Sequence, residues 1–264
     1  MEQIQNNRVI TDLYRENAQF PGIALDGSDV YLCWQRFVDR HDSLMASCRR
    51  GDEVVWEREI SDGGEVLHPV ILAHGGAIWY AWSEYARENW RILARCYRDG
   101  QWGEVLTVAS GEALFFPRLF TWQGKLHVIW TEQHKGSAAA VLCPLTEAGP
   151  GAAETVSAVG EAYRAGAAEG GDGNLYVAYD GFDGKQYKLF GRARTAAGWS
   201  EEIVVSQGED WASTPWIAAK PDGAVVGWYD YGYMAVYSVR SADHTVRDLS
   251  LIHISEPTRP LYIS

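Results

Sequence analysis

The sequence predicts an all-β protein, a β-propeller of four-stranded antiparallel blades, and three observations predict it. First, a tryptophan or tyrosine recurs at Trp34, Trp82, Trp130, Tyr179 and Trp228, at steps of 48, 48, 49 and 49 residues. Second, a proline or glycine recurs at Pro21, Pro69, Pro117, Gly166 and Pro215 with the same four steps. Third, each period breaks at turns into four apolar, strand-length runs, none with the periodicity and caps of a helix. Two independent markers kept in step through five copies identify a repeat architecture. Short antiparallel strands taken four at a time at this period form a propeller blade. Solenoids of similar repeat length are mostly helical or have one strand per turn.

Five blades are expected near residues 14–61, 62–110, 111–158, 159–207 and 208–248. In the second, strand A is predicted over Pro69–Ala73, B over Ile78–Trp82, C over Arg91–Tyr97 and D over Glu104–Ala109. The first reads Pro21–Leu25, Val30–Trp34, Ser43–Arg49 and Val54–Ile60; the fourth reads Ala165–Ala168, Leu175–Tyr179, Tyr187–Arg194 and Glu202–Val205. The tryptophan closing each strand B is expected to pack between blades, because a large aromatic in every copy serves the repeat. Ahead of the first blade, Arg8-Val9-Ile10-Thr11-Asp12 lines up with Arg58-Glu59-Ile60-Ser61-Asp62, a strand D and its turn. The N-terminal stretch is therefore expected to complete the last blade and close a ring, which removes most open edges.

Beyond Asp248 the pattern stops. Residues 249–259, LSLIHISEPTR, resemble the conceptual translation of a sequencing-library adaptor, so residues 249–264 are expected to be non-native and the natural protein to continue with the end of blade five and further blades. The alternating start of this tail is expected to pair with the open edge of blade five, and Pro257 and Pro260 to interrupt any ladder beyond it.

Composition excludes several classes of function. A net charge of −12 disfavours nucleic acid and anionic membranes, which require clustered Lys and Arg. No run approaches the apolar length of a membrane span, and the first residues lack the basic-then-apolar pattern of a secretory leader. Cys48, Cys96 and Cys143 lie one repeat apart, too far for a disulfide or a shared metal, and mark a small buried position. Free thiols without a leader point to the cytoplasm. No His/Cys spacing reads as zinc, no glycine-rich loop leads from strand to helix, and no cofactor is implied.

The D-to-A and B-to-C connections emerge together, so their residues form the candidate site. A glutamate recurs there at Glu16, Glu65, Glu112, Glu161 and Glu209, and Glu84, Glu132, Asp180 and Asp230 fall at or near the ends of strands B. The repeated carboxylates suit either binding of cations, amines or sugar hydroxyls, or a structural role accepting backbone N–H bonds. Departures from the repeat are more informative. Arg164 occupies the slot before strand A that carries Phe20, His68, Phe116 and Thr214 elsewhere, and Arg118 follows Pro117 where other copies have Gly22, Val70 and Trp216. Phe115, Tyr163, Trp211, Tyr85, Trp90, Tyr229, Tyr231 and Tyr233 share that edge. Aromatics among carboxylates and arginines suit sugar stacking with hydrogen bonding, or a protein-binding face.

The copies resemble the sialidase-like β-propellers, in the order proline, apolar run, glycine turn, apolar run ending in Trp, strand, then Gly198-Trp199-Ser200 or, more weakly, Asp99-Gly100-Gln101-Trp102-Gly103. The resemblance covers residues 8–248 and implies architecture more than activity. Sialidases of this family carry Ser-x-Asp-x-Gly-x-Thr-Trp turns, an arginine triad, a Tyr/Glu pair and an Asp acid. None of those turns is intact here, and Tyr163-Arg164-Ala165-Gly166 only partly matches the family's Arg-Ile-Pro motif. Two classes of function follow: a non-catalytic propeller binding a glycan, small molecule or protein, and a glycoside hydrolase. The latter needs two carboxylates in unlike environments, about 5–5.5 Å apart for retention or about 6.5–9.5 Å for inversion. Equivalent glutamates favour binding.

Overall fold

The computed structural model describes residues 17–61, 63–158, 160–206, 211–230, 233–240 and 246–252. Five antiparallel sheets follow one another along them, each with its long strands in sequence order. The first contains β1 (Asn17–Asp26), β2 (Asp29–Val38), β3 (His41–Arg50) and β4 (Glu53–Glu59). The second contains β5 (Glu65–His74), β6 (Ala77–Ala86) and β7 (Asn89–Arg98), its fourth strand split into β8 (Gln101–Trp102) and β9 (Leu106–Gly111). The third contains β10 (Ala113–Trp122), β11 (Lys125–His134), β12 (Ser137–Thr146), β13 (Gly149–Pro150) and β14 (Glu154–Thr155). The fourth contains β15 (Ala162–Glu169), β16 (Leu175–Phe182), β17 (Tyr187–Thr195), β18 (Gly198–Trp199) and β19 (Ile203–Val204). The fifth contains β20 (Ala212–Lys220), β21 (Gly223–Asp230), β22 (Tyr233–Arg240) and β23 (Val246–Ile252). These are the blades of a β-propeller fold.

The chain forms two compact units: residues 1–120, 126–136 and 142–153, and residues 121–125, 137–141 and 154–264. In the first unit, Tyr31, Cys33, Leu44, Cys48 and Ile60 of blade one pack with Val66, Ile78, Tyr80, Trp82 and Leu93 of blade two. In the second, Tyr176, Leu189 and Val205 of blade four pack with Ala212, Val226 and Trp228 of blade five. Strand B of each blade lies between strands A and C, so neither of its edges is open. In β6 everything from Ala77 to Glu84 is buried, whereas the outer β4 is mostly exposed. The repeated aromatics are all buried, as the sequence predicts: Trp34, Trp82, Trp130, Tyr179 and Trp228.

Strand A begins earlier than its proline suggests, because a β-bulge carries the ladder across it. In blade two the pairs Leu67↔Ser83 and Val70↔Ala81 leave His68 and Pro69 together opposite Trp82. Blades one, four and five repeat this, with Phe20-Pro21 opposite Trp34, Arg164-Ala165 opposite Tyr179 and Thr214-Pro215 opposite Trp228. The residue before the proline is left-handed in all five blades: Phe20, His68, Phe116, Arg164 and Thr214 have φ between 44° and 55°. One extra residue bends the strand and re-aims this side chain. The register corrects one alignment: in blade four the proline slot is held by Ala165, not Gly166, which aligns with Gly22 and Val70.

Strand D is fastened by a serine. The Ser61 hydroxyl accepts from Leu44 N–H, Ser157 from Ala140 and Ser206 from Leu189, each at 3.0 Å. An arginine then ties a blade to the strand D before it. Arg192 donates to the Val156 carbonyl at 2.7 Å and lies over the Trp199 ring; Arg95 lies over Trp102 and reaches the Ile60 carbonyl at 3.4 Å. The stretch Arg8–Asp12 lies outside the described residues. Of the tail, residues 249–252 fall in β23, where Ser250 pairs Val236 and Ile252 pairs Met234. Pro257 and Pro260 lie outside the described residues.

Candidate functional site

The re-aimed residues gather side chains that are distant in sequence. In the first unit the rings of Phe20 and His68 meet edge to face at 4.9 Å, and His68 and Phe116 lie 4.2 Å apart. Phe116 continues to Phe115 at 6.1 Å, Phe115 to Trp90 at 4.6 Å, and Trp90 to Tyr85 at 5.2 Å. Six rings thus form an unbroken track across three blades, Phe20 and Tyr85 being 42% and 37% exposed. Arg118, two residues beyond Phe116, stands beside His68. It keeps contact with solvent, yet enough protein surrounds its guanidinium for burial to lower its pKa. Burial first, and the charge of Arg118 second, hold the His68 imidazole down to about 4. Its Nδ1 is buried and has no hydrogen-bond partner among the described residues.

The carboxylates divide into two kinds. Glu84 is fully buried, accepts from Trp82 Nε1 at 3.3 Å and is paired with Arg91. Gly64 makes room for it, since a Cβ there would stand 2.4 Å from Glu84 Cγ. Asp180 is also fully buried, and Arg164 grips it through Nε at 2.9 Å and through Nη2. That hydrogen bonding raises the Arg164 pKa, against desolvation. The repeated glutamates do not converge with these. Glu65 is exposed at the start of β5, opposite Tyr85. Glu112 is exposed and lies 3.1 Å from His134 Nδ1. Glu161 bridges Ala138 through its backbone, and its carbonyl accepts from Phe182 N–H at 3.1 Å. Glu132 is partly buried in β11. Glu16, Glu209, Tyr231 and the side chains of Asp230 and Tyr233 lie outside the described residues.

In the second unit Arg164 is flanked by another aromatic group. Tyr187 contacts Tyr163 at 6.3 Å, Phe182 at 5.5 Å and Trp211 at 5.7 Å, and Trp211 is 57% exposed. Among the described residues no group of His, Cys, Asp and Glu could hold a metal ion, and no helix is long and apolar enough to cross a membrane.

Sequence reasoning missed the partners of the buried carboxylates. Arg91 was legible: Arg87-Glu88 forms the two-residue turn, Ala86 pairs Asn89, and equal steps away Glu84 faces Arg91. Arg164 and Asp180 were hidden because the bulge shifts the count on one strand only.

The architecture is that of a β-propeller. No family model matches the chain, and no curated protein matches it. Among solved structures, an α-L-arabinofuranosidase from Lactobacillus brevis superposes over 89% of this chain and 94% of its own, at 10% identity and a TM-score of 0.56. A subtype N10 neuraminidase-like protein of A/little yellow-shouldered bat/Guatemala superposes over 88% and 80%, at 9% identity and 0.57. A puromycin-hydrolysing peptidase of Mycobacterium tuberculosis superposes over 92% of this chain but 38% of its own, at 16% identity and 0.58. At these identities the likeness is one of fold.

Proposed function

We propose that this propeller binds a glycan along the aromatic track of the first unit and does not cleave it. The observation that carries this reading is the unbroken series Phe20, His68, Phe116, Phe115, Trp90 and Tyr85, partly open to solvent and flanked by Arg118. Sugar rings present C–H faces to aromatic side chains and hydroxyls to polar ones, and such a track offers both in sequence along a chain of residues. A glycosidase needs two carboxylates free to reach the scissile bond. Here the buried Glu84 and Asp180 are each held by an arginine, and the exposed Glu112 sits beside His134. The glycosidase names among the fold's relatives support carbohydrate as the ligand class.

The test is calorimetric titration with arabino-, xylo- and galacto-oligosaccharides and sialyllactose. At least one should bind, and Trp90→Ala and Phe116→Ala should each weaken it about tenfold, the worth of a stacked ring. Absence of binding across the panel, or full affinity in both variants, defeats the reading. Release of reducing sugar during the titration defeats its non-catalytic part.

A further inference from the structure

The β6–β7 hairpin has a second face. On the side opposite Trp90, an open cleft of about 300 Å³ is lined by Ala86, Arg87, Asn89, Arg91, Ser110 and Gly111. Two arginines, an amide and a hydroxyl are an unusual lining for a chain of net charge −12.

Two features mark the cleft as built. Arg91 is fixed from behind by the buried Glu84, and it keeps 34% of its side chain exposed. Its Nε is buried and has no hydrogen-bond partner among the described residues. Ser110 departs from its own repeat. The serines in the same place in blades one, three and four accept from a strand-C amide, but β9 runs on to Gly111, and Ser110 is exposed in the cleft. Glu88 is not among the lining residues, so Arg87 gives the cleft a net positive charge beyond the balanced Glu84–Arg91 pair.

We infer that this cleft receives the oxyanion of an acidic glycan, a carboxylate or a sulfate ester. Arg87 supplies charge, and Arg91, Asn89 and Ser110 supply fixed donors. The inference rests on the glycan reading and adds a substituent to it. A ligand would lie along the aromatic track and turn its charged group over the hairpin tip into the cleft.

The experiment titrates the full chain with oligogalacturonate, its methyl ester and a sulfated galactan oligosaccharide. The expected result is that oligogalacturonate binds about tenfold tighter than its ester, as a charge-assisted hydrogen bond provides. Arg87→Ala/Asn89→Ala should abolish that preference, so that acid and ester bind alike. A sulfated galactan preferred to the acid, and losing its advantage in the same variant, assigns the cleft to sulfate. Equal binding of ester and acid, with no gain from sulfate, overturns the inference and leaves the glycan reading standing. No binding of any saccharide overturns both. Because both substitutions lie in exposed positions at the hairpin tip, the thermal midpoint of the variant should match the parent, and a preference that survives in it overturns the inference.

Discussion

His68 shows how one side chain couples packing to solution conditions. Its imidazole lies between two phenyl rings and beside a guanidinium, an environment that disfavours a second proton. The unfolded chain has no such bias, so below about pH 6.5 it binds the proton that the folded state refuses. Stability is therefore whole above that pH and falls progressively as pH drops toward the folded value of about 4, by on the order of 2 kcal/mol. Phe occupies the same slot in blades one and three, so His68→Phe fits the stack and should flatten this part of the curve. Urea denaturation of the two proteins from pH 4 to 7 measures it; parallel curves would contradict it. Arg164→Ala exposes a different weakness, because Asp180 remains fully buried and uncompensated. A loss of about 2 kcal/mol is expected, less than for a fully buried pair since a third of the Arg164 side chain meets solvent. Adding Asp180→Asn should recover part of it, read as a double-mutant cycle.

At the level of strands and turns, Trp82→Ala should cost about 3–5 kcal/mol in denaturant unfolding, since the indole fills the space between two blades. The turn Asp39-Arg40 joins β2 to β3 with both residues left-handed, φ 52° and 65°. Arg40→Gly should relieve the second, raising stability by about 1 kcal/mol and the thermal midpoint with it. Strand C was nearly complete in the sequence, because turn residues set its ends, whereas strand B was read only as far as its aromatic and runs on four residues, to Val38 and Ala86, in blades one and two. Strand A was read four residues short in blade one, starting at Pro21 instead of Asn17. A proline normally stops a ladder, but the bulge places it where no amide is required. The same device hid the candidate site. Phe20, His68 and Phe116 were visible as a column, but their contact with one another depends on how blades sit side by side, which periodicity does not encode. The cleft was missed for a simpler reason: Arg87, Asn89 and Ser110 are individually ordinary surface residues, and their chemistry appears only once β7 and β9 are paired.

At the scale of the whole chain, residues 249–252 contribute a few backbone pairs at the end of β23. Deleting residues 249–264 should move the denaturant midpoint hardly at all; a protein that unfolds on this deletion alone would make the segment native to the fold. The cysteines give such experiments a direct readout. Cys33, Cys48, Cys96 and Cys143 are buried, unbonded and all in the first unit, and burial raises the thiol pKa in each, to about 12 for Cys33 and about 11 for Cys143. An alkylating reagent therefore reacts only when a blade of that unit opens, and peptide mapping identifies which blade it was. The chain carries its own clock for breathing in one half, with the other half chemically silent.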